Sequence, residues 1–263
     1  MKKIISIILI TIMLFSLTAC KEEQTPEVTQ SSVKGLSSKF ENSLELQKSI
    51  FIGKIKSSSQ KKALIPKYNL DITNYTVYKV EITESLDGYT PTGEATVMSV
   101  GSSAEFLARL SLSTNETYIL EAEPWIYDGE MVYLLSLYTT AYPKIDSADR
   151  VTLSESGKKT IDYGTKQEYI QTLNDAKQAF ELKNEGFFEP KKVLGRYEQI
   201  FANVRNTNAK EWLREEFEYK WQPNMTLIGK TRTASEQVYN HVLSLKEKTD
   251  LTNEDIQSIF KVI

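Results

Sequence analysis

The chain has 263 residues, 32 Lys and Arg against 35 Asp and Glu, a net charge of −3, and 40% hydrophobic and 25% charged residues. That balance, with 11 Gly and 7 Pro, excludes collagen-like, mucin-like and wholly disordered chains and allows one or two domains that each bury a core. A lone cysteine, Cys20, excludes an intramolecular disulfide and any cysteine-built zinc or iron–sulfur site, and a lone histidine, His241, thins the field of hydrolytic triads and histidine-ligated metals.

Met1-Lys2-Lys3 is a short cationic start, and Ile4 to Leu17 is an apolar run broken only by Ser6, Thr11 and Ser16. This is the order of a secretory signal, and the run is short of the ~20 residues needed to span a bilayer. Leu17-Thr18-Ala19-Cys20 follows directly and resembles the lipobox of bacterial lipoproteins. The resemblance implies cleavage after Ala19, a diacylglyceryl thioether on Cys20, and attachment of the mature chain to the extracytoplasmic face of the cell membrane. Loss of Lys2 and Lys3 takes the charge from −3 to −5. Each buried acyl CH₂ contributes ~0.8 kcal/mol, so two or three chains anchor firmly.

Residues 20–40 (from Lys21, KEEQTPEVTQSSVKGLSSKF) are polar, hold Pro26 and Gly35, and read as the lipidated residue and a flexible tether.

From Ile50 to Thr140 the apolar period is mainly two, the signature of strands. The runs are Ile50–Ile55, Tyr75–Thr83, Ala95–Val100, Thr117–Ala122 and Met131–Thr139, with a short helix holding Ala104, Phe106, Leu107 and Leu110 between the third and fourth. Pro124 and the Asp128-Gly129 turn signal separate the last two. The opening IFIGKI strand, YTVYKVEITESLDG, TYILEAEPWIYDG and MVYLLSLYTTAY together resemble an OB fold, in its netrin-like or tissue-inhibitor-of-metalloproteinase-like variant. That resemblance implies a small barrel with a groove between its first-to-second and fourth-to-fifth loops. Inhibitors of that family work through an N-terminal cysteine and disulfides; here the one cysteine is the lipid acceptor, so metalloproteinase inhibition does not transfer.

Lys144 to Gly164 suits a hairpin around Ser156-Gly157. Helices follow. Thr165-Lys166-Gln167-Glu168 is a capping box ahead of Tyr169, Leu173, Ala176 and Phe180; Pro190 opens a second helix; Ala209–Trp221 spaces Trp212, Phe217 and Trp221 as a third. Thr233-Ala234-Ser235-Glu236 reads as another capping box, and Thr252–Asp255 starts a last helix. The sequence thus predicts an α+β protein: signal peptide 1–19, tether 20–40, OB-like antiparallel barrel 41–164, helical C-terminal subdomain 165–263.

No catalytic constellation, metal site or cofactor is expected. His241 lacks companions at ligand or relay spacing, Gly101-Ser102-Ser103 is no nucleophile elbow, and Asp146 with Asp149 lacks the calcium-loop pattern. Glu121, Glu123, Asp128 and Glu130 crowd the fourth-to-fifth connection, and paired carboxylates would suit a glycan-active enzyme. Trp125 and Tyr127 fit two arrangements, either folded back as a lid on the barrel or exposed beside the groove. In the second they face Lys61, Lys62, Lys67 and Tyr68 of the first-to-second loop and contact an envelope protein or a glycan. Nucleic acid is disfavoured by location and acidic charge. The reading favoured by the sequence is a non-enzymatic, lipid-anchored binding module of the cell envelope, with a glycan enzyme or a structural spacer as alternatives.

Overall fold

The structure, a computed structural model, describes residues 30–46, 48–63, 73–100, 110, 112–136, 139, 141–154, 160–210 and 225–263. Helix α1 (Gln30–Glu45) leads into strands β1 (Ser49–Ala63), β2 (Thr73–Ser85), β3 (Gly93–Val100), β4 (Thr117–Tyr127) and β5 (Glu130–Leu135). Three short strands follow, β6 (Lys144–Ile145), β7 (Arg150–Leu153) and β8 (Ile161–Thr165). The helices α2 (Lys166–Lys183), α3 (Pro190–Lys210), α4 (Met225–Leu245) and α5 (Asn253–Ser258) complete the chain, with a 3₁₀ turn at Ile259–Lys261. The architecture is α+β: a closed five-stranded barrel with five helices among the described residues.

Closure depends on β1. It pairs with β2 along its length, while its first residues, Ser49 to Lys54, also pair with β4. An extra residue on β1, Lys56 between Ile55 and Ser57, and one on β2, Thr83 opposite Ile52/Gly53, bend the pair so that β1 serves both partners. Gly53, across from the β2 bulge, has no room for a side chain, since a Cβ there would meet Val80 Cγ1 at 2.5 Å. The circuit runs β1-β2-β3-β5-β4 and back to β1, with β3 and β5 parallel and the other barrel pairs antiparallel. β6 continues the sheet from the start of β4, and β7 and β8 pair antiparallel on either side of residues 155–159, where the sequence placed a hairpin.

Two hydrophobic cores meet at the barrel wall. The larger joins barrel residues such as Phe51, Val97, Leu120 and Ile126 to Val193, Tyr197 and Phe201 of α3, Val238 and Val242 of α4, and Ile256 and Phe260 near the C-terminal end. The smaller places α1 and α2 over Ile50, Ile52 and Ile119, with Phe40 meeting Tyr169 edge-on at 5.3 Å. Wrapped on both faces, β4 is buried almost throughout, which blurs its alternation in sequence.

Several boundaries differ from the sequence reading. Residues 30–40, assigned to the tether, lie in α1, where Leu36, Phe40 and Leu44 recur at helical spacing and are buried. The fourth strand passes through Pro124 to Tyr127. Proline is tolerated there because the β1–β4 ladder ends at Ser49–Ala122, leaving β5 as the one strand beside it among the described residues. β1 continues to Ala63 and β5 stops at Leu135. The Thr165 and Thr252 capping boxes form as the sequence implies. Thr233-Ala234-Ser235-Glu236 instead lies inside α4, where Ser235 Oγ donates to the Thr231 carbonyl at 2.7 Å, one turn back. The expected helices at 104–110 and 209–221 fall wholly or mostly outside the described residues.

Candidate functional site

β3 and β5 pair only from Thr96–Val132 to Met98–Leu134. Toward Glu94 and Glu130 the two strands part, and the segment carrying Phe260 and Ile263 closes the far side. The result is a groove of ≈ 480 Å³ in the barrel wall, within the usual range for a ligand site. Its floor is apolar and aromatic: Val80, Ile82, Met131, Tyr133 and Phe260. Tyr133 stacks on Phe260 at 6.2 Å and meets Phe51 edge-on at 5.2 Å, so its ring is held from two sides. Burial, with Asp87 adding to it, drives the Tyr133 phenol far above its ordinary value and keeps it neutral.

The rim is charged and mixed. Lys56 is ion-paired with Glu81, whose carboxyl it holds below the usual range, chiefly through their hydrogen bond. Lys79 Nζ donates to Thr96 Oγ1 at 2.9 Å, and Glu94 and Glu130 stand on the β3 and β5 sides. Such a surface offers donors and acceptors of both signs around an apolar floor, suited to orienting a polar ligand with an apolar face.

Of the residues singled out in sequence, the described ones are spread over the fold. Cys20, Lys67 and Tyr68 lie outside the described residues. Lys61 is exposed on β1, and Lys62 follows it with Asn74 opposite. Trp125 is no loop-tip residue: it sits in β4 opposite Val132, 5% exposed, in the core shared with α3 to α5. Tyr127 ends the same strand half-buried, its phenol pushed up to about 12 by burial and then by Asp128. Buried Trp125 is therefore not presented toward Lys61 as an exposed ring at a loop tip.

The four acidic residues disperse as well. Glu121 is buried at 7% exposure, takes a hydrogen bond from Ser43 Oγ at 2.7 Å, and pairs with Lys39 at 2.8 Å. It fastens α1 to the barrel. Glu123 is half-buried two residues on, while Asp128 takes positive φ in the hairpin turn, 3.8 Å from Lys230. Only Glu130 lines the groove. Elsewhere, Asp146 accepts from the Ala148 and Arg150 amides, and buried Asp162 pairs with Arg150. Among the described residues no group of three or more His, Cys, Asp or Glu is placed to hold a metal ion.

His241 is a joint between helices. Ser258 Oγ gives its hydrogen to the Asp255 carbonyl at 2.6 Å, so the 2.7 Å contact with His241 Nε2 makes the imidazole the donor. A third buried carboxylate, Asp87, gathers the amides of Ile50, Tyr89 and Thr90 with the Ser85 and Thr90 hydroxyls, fixing the β2–β3 turn beside the groove. The LDG step at the end of the second strand run is its signal in sequence.

What fold and site define is an α+β protein with a closed barrel and a lateral groove. No family model, curated protein or solved structure matches the chain.

Proposed function

We propose that the protein is a lipid-anchored, extracytoplasmic binding module of the bacterial cell envelope, held by a diacylglyceryl group on Cys20, with the barrel groove as its ligand surface. The groove carries this reading: an aromatic floor fixed by Phe51 and Phe260 under a rim of Lys79, Glu94 and Glu130 is built to hold a ligand. The Leu17-Thr18-Ala19-Cys20 pattern supports the location. The strand order supports reading the barrel as OB-like, with residues 165–263 as a helical subdomain braced against it. The partner is an envelope protein or a glycan, and nucleic acid is not a ligand.

One observation favours a second reading, a glycan-active enzyme. Glu94 and Glu130 line the same groove, and two carboxylates flanking a sugar are the equipment of glycoside hydrolysis. A photoreactive residue at Glu130, compared in intact cells with one at Leu182, which is 88% exposed on α2, tests binding. Adducts specific to position 130 and lost when Ala95 is enlarged to Trp support the groove. Equal capture at both positions, or none, contradicts it. Turnover of envelope glycan that is abolished by both Glu94→Gln and Glu130→Gln replaces the binding module with the enzyme.

A further inference from the structure

The second half of β1 has an edge with no strand partner among the described residues. Ile55 turns its backbone away from β2, donating to the Glu116 carbonyl at 2.9 Å and accepting from the Asn115 amide at 2.8 Å. Ile55 pairs with Val80, and after the bulge Ser58 pairs with Tyr78 and Gln60 with Thr76. In an antiparallel ladder, pairs two residues apart are of one kind. Ser58 and Gln60 therefore turn their amides and carbonyls outward as Ile55 does. Among the described residues no strand lies there, and Ser57 to Lys61 are all exposed.

Two further observations fix the occupant. The side chains of Ser58 and Gln60 border a ≈ 250 Å³ pocket whose apolar walls are Leu110, Leu112 and Tyr78. The ribbon formed by Ser57–Ala63 and Thr73–Lys79 carries Lys61, Lys62 and Lys79 and no Asp or Glu, in a chain of net charge −3.

We infer that this edge accepts an extended, acidic segment of another protein as an added strand. Its backbone pairs with Ser58 and Gln60, one apolar side chain enters the pocket, and its carboxylates meet the lysines. Main-chain pairing supplies affinity and the pocket specificity. The pocket shares no residue with the barrel groove, and of the ribbon's lysines only Lys79 also lines that groove.

The test is to pan a phage-displayed library of random peptides against the full chain and its Gln60→Pro variant. Proline removes the one outward amide at position 60 without touching the β1–β2 ladder, and an edge tolerates it, so the melting temperature should hold. Acidic clones with an apolar residue at a fixed position are expected, weakened about tenfold or more by Gln60→Pro and also by Lys61→Glu with Lys62→Glu. No enrichment, or clones that bind Gln60→Pro equally, overturns the inference. So does a concentration-dependent dimer lost in Gln60→Pro, which makes a second copy the occupant. Binding to phosphatidylglycerol vesicles that follows the lysines and ignores Gln60→Pro makes it a membrane patch.

Discussion

Replacing Trp125 by alanine should unfold the protein more readily. The ring is 5% exposed between β4 and the helices, and its cross-strand partner Val132 is 1% exposed. Truncating a buried Trp costs about 3–5 kcal/mol, from lost transfer energy and the cavity left behind. The upper half of that range applies, because the surrounding strands are tied into a closed barrel and collapse poorly into the gap. At roughly 2–4 °C per kcal/mol for a chain of this size, the midpoint should fall by about 8–20 °C. Urea unfolding followed by circular dichroism reads the change directly, with Trp125→Phe as a milder control that keeps a ring in the site. A Trp125→Ala variant within about 0.5 kcal/mol of the parent would put the ring in solvent, as surface substitutions behave. It would refute the placement of α3 and α4 over β4 and restore Trp125 as an exposed anchor.

Glu121→Ala should cost about 2–3 kcal/mol, because Ser43 and Lys39 lose their acceptor in a buried setting; Lys39→Met, whose ammonium is partly solvated, should cost about 1 kcal/mol, and a double-mutant cycle in urea measures the coupling. In alkaline titration Tyr89 should ionise near 12, since burial raises its phenol while its hydroxyl donates to the Phe188 carbonyl at 2.9 Å. A pKa raised by folding means that the neutral form is favoured, so this stability is whole below about pH 10 and is lost as pH rises through the folded value. Phenolate absorbance should show a late step shared with Tyr127, and Tyr89→Phe should remove part of its amplitude. A soluble chain beginning at Lys48, without α1, should unfold at lower urea and be cut faster by protease than one beginning at Val28, because Ile50, Ile119 and Leu173 lose the cover of Phe40 and Leu44.

What the sequence made legible follows from where periodicity is undisturbed. Tyr78, Val80 and Ile82 alternate against Lys79 and Glu81 because β2 has an inner and an outer face, and the Thr165 and Thr252 boxes are local chemistry that needs no tertiary context. The second half of β1 was illegible, since Ser57-Ser58-Ser59-Gln60-Lys61-Lys62 is polar on both faces. α1 was hidden by its serines, although Leu36, Phe40 and Leu44 at spacings of four already marked a stripe. Trp125 was misplaced because Pro124 reads as a strand end when the missing neighbour on that side cannot be seen. The groove could not have been read at all: Lys79, Glu94, Glu130 and Phe260 meet only because β3 and β5 part beyond Thr96 and the C-terminal turn folds back over them.

The proposed anchoring rests most directly on Cys20. Cells expressing the full chain are fed a clickable fatty acid, and the protein is recovered from membrane and soluble fractions beside its Cys20→Ala variant. The expected result is label on the parent, with a mature N-terminal peptide that begins at a diacylglyceryl Cys20, and an unlabelled variant that is either released or left unprocessed. Label retained by Cys20→Ala, or a parent without lipid whose chain still carries Met1 to Ala19, would contradict it.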